Sequence, residues 1–225
     1  MKTKNQIEIR LNKRKLTLSG WLKENDFDSY KTPLKFQKFL FFYELFSKMD
    51  GDTSDFKKLK GYKNGPVFSN VWGYYTHNKE EFNIKITESL KENYSLVNLE
   101  RAKKANFLIA TLTQEELSNL THQMNLWLVK KDLIMSGEKQ VDLDEKDLND
   151  DDFKLIKKLS SIASIETINN STIYEIGEKY FVFSNKDSKV IKPEHLDILT
   201  SVSKDPELYN PVYVEIDEDG DLVID

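Results

Sequence analysis

The stretch PLKFQKFLFFYELFSKM, residues 33–49, limits what this 225-residue chain can fold into more than any other. Read as a helix, it carries Leu34, Phe36, Phe39, Leu40, Phe41, Phe42, Tyr43, Leu45, Phe46 and Met49 almost all the way round the cylinder. A helix with so little polar surface is a central one, wrapped by other elements. Thr32 followed by Pro33 is its start signal, because proline's fixed φ and missing N–H suit the first helical position. Asp50-Gly51 ends it. Aromatic crowding of this kind reads as packing before it reads as a ligand cage.

The wrapping elements are read from periodicity. IEIRLNKRKLTL, residues 7–18, fits a hairpin turning at Asn12-Lys13 and a helix almost equally. A short helical pattern runs from Trp21 to Tyr30, the pattern is loose through residues 78–97, and a second strong helix spans Leu99 to Leu112. Thr113 and Glu116 form a capping box opening a helix with Leu117, Leu120, Met124, Trp127 and Leu128 on one face, stopped by Ser136-Gly137. Between them lies KGYKNGPVFSNVWGYY, residues 60–75. Gly65 can take a positive φ, and Pro66 suits the start of a new helix, on which Val67, Val71, Trp72 and Tyr75 recur at helical spacing while Tyr74 falls off the stripe. The turn sets the angle between two packed segments, and the first 137 residues are expected to be essentially helical.

Beyond an acidic stretch the period changes. A start signal at Asn149 to Asp152 precedes Phe153, Ile156, Leu159 and Ala163 at helical spacing. TIYEIGEKYFVFSNKDSKVI then alternates around Gly177-Glu178-Lys179 and around Asn185 to Ser188, predicting three short strands. A Pro193-led helix and a closing hairpin through Asp219-Gly220 follow. The expected fold class is α+β: a mainly helical unit over residues 1–137, an acidic linker over 138–150, and a small α+β unit with short antiparallel hairpins over 151–225.

The chemistry is marked by what the chain lacks. It has no Cys, hence no disulfide, thiolate nucleophile or Cys-based metal site. His77, His122 and His195 have no partner at metal-ligand spacing, and the phosphate, dinucleotide and hydrolase signatures do not occur, so no metal, cofactor or catalytic residue is expected. Asp217 to Asp221 reads as a hairpin turn rather than a calcium loop. His122 sits at the edge of an apolar stripe, where one ring nitrogen is expected to meet a carbonyl or hydroxyl. With 33 basic and 38 acidic residues the net charge is -5, unlike a surface built throughout for phosphate, although Lys2, Lys4, Arg10, Lys13, Arg14 and Lys15 make a basic start. The start has no apolar signal core and no stretch reaches membrane-spanning length, so a soluble, cytoplasmic protein is expected.

Three local patterns resemble the Panacea domain, the SocA-like family of antitoxins and phage-associated proteins. The first is Leu34, Phe36, Gln37, Lys38, Phe39, Leu40, Phe41 and Tyr43; the second is Gly65, Pro66 and Val67 followed by Trp72; the third is Thr121, His122 and Trp127. The likeness covers roughly residues 18–137, and the segment after 150 has no counterpart. It implies a helical, non-enzymatic module that binds another protein, foremost an antitoxin meeting a toxin encoded nearby, with Trp72, Tyr74 and Tyr75 as the contact face. Alternatives are a phage or mobile-element protein that inhibits a host nucleic-acid-handling protein through acidic surfaces, and a nucleic-acid binder using the basic start.

Overall fold

A computed structural model describes residues 11–224. Helix α1 (Lys13–Asn25) starts at Asn12, whose side chain accepts from the Lys15 amide, so the ambiguous segment is helical from residue 13 onward. Of the basic start, Lys2, Lys4 and Arg10 lie outside the described residues. Helix α2 (Phe27–Lys31) leads into α3 (Pro33–Met49), in which every residue from Lys35 to Ser47 is buried. Trp21 stacks on Phe39 at 5.7 Å, one of several aromatic contacts that wrap this helix.

Next come β1 (Leu59–Tyr62), β2 (Gly65–Phe68) and α4 (Ser69–His77). Here the sequence reading is corrected: Pro66 does not open a helix but sits in β2, and the turn is the two-residue loop Lys63-Asn64. Tyr62 faces Gly65 as the closing pair, which makes Gly61 and Pro66 a pair without mutual hydrogen bonds. The missing N–H of Pro66 therefore falls on the outer edge of an edge strand, where it costs no ladder bond.

Helix α5 (Lys79–Asn93) fills the stretch whose pattern looked loose, burying Phe82, Ile86 and Leu90 on one face. It lies backbone to backbone against α1: a Cβ on Gly20 would collide with the Ile86 carbonyl oxygen. After α6 (Leu99–Ala110), the single helix expected from residue 113 is divided into α7 (Gln114–His122), α8 (Asn125–Leu128) and α9 (Lys131–Met135). The capping box of Thr113 and Glu116 is present, but the Asp152 carboxylate accepts from the Asn125 amide at 2.8 Å, stabilising a fresh helix start that interrupts the old one.

The acidic stretch 138–150 is built into this unit. Strand β3 (Val141–Asp142) pairs with β1 to give the sheet order β2-β1-β3, and Leu143 is buried in the core. Helix α10 (Asp150–Ser160), capped by Asn149, adds Ile156 to the same core. Helix α11 (Ile165–Asn169) precedes β4 (Ser171–Ile176) and β5 (Lys179–Ser184); α12 (Pro193–Val202), β6 (Val212–Ile216) and β7 (Leu222–Ile224) complete the chain. The third strand expected after residue 188 is a single helical turn at Asp187–Lys189. The sheet order is β4-β5-β6-β7 and the β5–β6 pairing is parallel, so two hairpins are joined side by side across the α12 connection. Phe181 and Phe183 pack on Leu199, whereas Val182 meets Phe107 of α6 and Ala163. Strand β5 is thus buried on both faces and seats the sheet on the helical unit, giving a mainly helical α+β fold.

Candidate functional site

Residues from all three motifs meet around the Lys63-Asn64 turn. Lys38 points from the second turn of α3 into the protein, only 1% exposed. Its Nζ donates to the Asn64 carbonyl at 2.9 Å and to Thr121 Oγ1 at 2.8 Å. Burial pushes the ammonium pKa down to about 7, with no carboxylate to oppose the shift. Gly65 closes the lid over this amine. Its φ of 99° lies where side chains are strained, and a Cβ there would strike both Lys38 Nζ and Thr121 Oγ1.

Gln37, one residue earlier and also buried, accepts from the Phe68 amide through Oε1 at 2.9 Å, while its Nε2 is buried with no hydrogen-bond partner. Trp127 donates from Nε1 to the Tyr62 carbonyl at 3.1 Å, fixing α8 to the end of β1. The His122 ring stacks on Trp127 with centroids 4.1 Å apart. Burial, then the nearby Lys38, lower the His122 pKa, opposed by a hydrogen bond to the Lys63 backbone, so its imidazole is neutral at pH 7. The Lys63 bond satisfies one ring nitrogen, and Nε2 is buried unpaired.

Above this cluster runs a groove of about 530 Å³ bordered by Pro33 and Leu34 at the start of α3, Tyr62, Lys63, Pro66 and Val67 of the hairpin, Trp72 of α4 and Gln114 of α7. Gln37 and Lys38 line it from beneath. No acidic residue borders it. Of the remaining lining residues, Leu34 belongs to the first motif, while Pro33, Tyr62 and Gln114 carry no local sequence signal for this role; only the fold assembles them.

The expected contact face is partly corrected. Trp72 is half-buried and borders the groove, but Tyr75 is 4% exposed, with its hydroxyl donating to the Tyr30 and Lys31 carbonyls and its ring against Phe36 and Phe82. It points inward because α4 packs this side on α2 and α3. Tyr74 is half-buried against the same core. Tyr43 lies apart from the cluster, its hydroxyl accepting from the Asn98 amide between the guanidinium groups of Arg14 and Arg101. Arg14 and Lys15, expected in a basic arm, are instead bonded to the buried Glu44.

Among the described residues no cluster of three or more His, Asp or Glu could hold a metal ion, and no helix is long and apolar enough to cross a membrane. Compared with family models, curated proteins and solved structures, the chain matches none of them.

Proposed function

We propose that this protein is a non-enzymatic, cytoplasmic protein-binding module of the antitoxin kind, which neutralises a toxin encoded beside it by direct contact through the groove at Trp72. The observation that carries the reading is the convergence of Gln37, Lys38, Gly65, Thr121, His122 and Trp127 on one turn, directly beneath that groove. Most of their hydrogen bonds join helices to the hairpin, so they brace a surface rather than line up a nucleophile with a base. A braced groove with a half-buried tryptophan at its rim is suited to an anchor side chain from another protein, since little ordering entropy is lost on contact.

The test is co-expression with the product of the adjacent reading frame. Growth arrest by the neighbour alone, rescue by this chain and co-elution of the two support the reading. A harmless neighbour and no complex overturn it.

A second reading draws on a separate cleft where Asp26, Asp28, Glu115, Glu175 and Glu178 surround Lys35 and Tyr180. Such a surface suits a basic, nucleic-acid-handling host protein; its affinity would then fall as salt is raised.

A further inference from the structure

We propose that the groove beside Trp72 is a carboxylate site: it takes an acidic group carried on an apolar segment of the partner protein. The inference rests on the protein-binding reading above and adds the chemistry of the bound group.

Two independent features point to an anion. The 17-residue helix α3 opens onto the groove through Pro33 and Leu34, and its start has no side-chain cap and no acidic residue in the first turn. The Thr32 hydroxyl, placed to cap it, donates back to the Asp28 carbonyl instead. The positive end of the helix dipole and its first amides are therefore left without a side-chain acceptor. Separately, Gln37 is only 2% exposed, lines the groove, has its oxygen taken by the Phe68 amide and keeps an Nε2 donor with no partner. A buried donor left unmade is costly, and an incoming oxygen would satisfy it.

Charge agrees with both. In a chain with 38 acidic residues, this groove is bordered by none of them and by Lys38 and Lys63. Lys38 lies under Gly65 without a counter-ion, so an anion above it is attracted through a medium of low dielectric. The remaining border of Pro33, Leu34, Pro66, Val67 and Trp72 calls for an apolar body attached to the acid.

The experiment uses the full chain and needs no toxin, so its failure and the failure of the antitoxin reading are separate results. Intrinsic tryptophan fluorescence, to which Trp72 at the groove contributes, is titrated with 4-methylpentanoate and with its uncharged isostere 4-methylpentanamide, then with the capped peptides acetyl-Leu-Asp-Leu-amide and acetyl-Leu-Asn-Leu-amide. Each acid is expected to bind at least about tenfold more tightly than its amide. The preference is expected to shrink from pH 6 to pH 9 as Lys38 loses its proton; the other titratable groups facing it are Lys63 and His122, the latter with its pKa lowered by burial. Gln37→Glu, which keeps the bond from Phe68 and places a carboxylate beside the ligand's, is expected to abolish acid binding. Equal binding of acid and amide, or no response to any probe, overturns the carboxylate assignment. Binding of the free acid but not of the Asp peptide overturns the assignment to a protein partner. If Gln37→Glu does not fold, Lys63→Gln, at an exposed loop position, carries the same test, and unchanged acid affinity in it counts against the site.

Discussion

Lys15, bonded to α3 from α1, and Lys38, a residue of α3, are both buried lysines, and their surroundings differ in one respect. Lys15 donates to Glu44 at 2.5 Å and to the Asp55 carbonyl at 2.7 Å, and its ammonium lies 3.9 Å from the centre of the Phe68 ring. Glu44 also accepts from two nitrogens of Arg14, through three contacts, and from the Asp55 amide. Every charge there has an opposite charge, and the Glu44 carboxylate has a filled shell of donors, so the network closes on itself and fastens α1 to α3. Lys38 has two neutral acceptors and no carboxylate. The first arrangement is finished; the second lies under an apolar groove beside a Gln37 donor that has no acceptor.

The largest effect expected from breaking this contrast is at Glu44. Glu44→Gln strands Lys15 and Arg14 beside a neutral group, and urea unfolding is expected to show a loss of about 3–5 kcal/mol. Lys38→Met, which removes a desolvated amine rather than stranding one, is expected to change stability at pH 7 by less than about 1 kcal/mol. A comparable loss in both variants would erase the distinction.

Gly65 comes next. Gly65→Ala forces a side chain into a positive φ and into Lys38 and Thr121, with an expected cost of about 2–3 kcal/mol by chemical denaturation.

The contrast is sharpened by pH. Lys38 titrates near 7 in the folded protein and at 10.5 when unfolded, so between those values the unfolded chain binds the extra proton and stability rises with pH. Relative to Lys38→Met, the native protein should gain up to roughly 1.4 kcal/mol for each pH unit above 7. A flat difference curve would mean that Lys38 stays charged, with a counter-ion.

The smallest effect is a control on α4, the helix that carries Trp72. Gly73 lies in α4 with open space where its Cβ would be, so Gly73→Ala should stabilise by about 0.5–1 kcal/mol.

Features set by neighbours in sequence were legible before the fold was known. Thr113 and Glu116 announce α7 because both halves of a capping box are local. The Asp217–Asp221 turn of the last hairpin is likewise local, its bonds closing within five residues. Helix α5 gives little local signal because Phe82, Ile86 and Leu90 are a narrow stripe diluted by charged and polar residues. The break before α8 is made by Asp152, 27 residues further on, and no local pattern announces it. The site follows the same rule. Gln37, Lys38, Gly65 and Thr121 could be picked out as motif residues, but that Lys38 reaches Asn64 and Thr121, 26 and 83 residues away, is a property of packing. The inward turn of Tyr75 is too: its acceptors belong to α2, 44 and 45 residues back.

The most direct test of the central claim is calorimetric titration of the purified neighbour-encoded protein into the wild-type chain and into Trp72→Ser. The groove account predicts a saturable complex with the wild type and affinity at least about tenfold weaker with Trp72→Ser, measured where circular dichroism shows both proteins folded. Equal affinity for both proteins would place the contact elsewhere on the surface and contradict it.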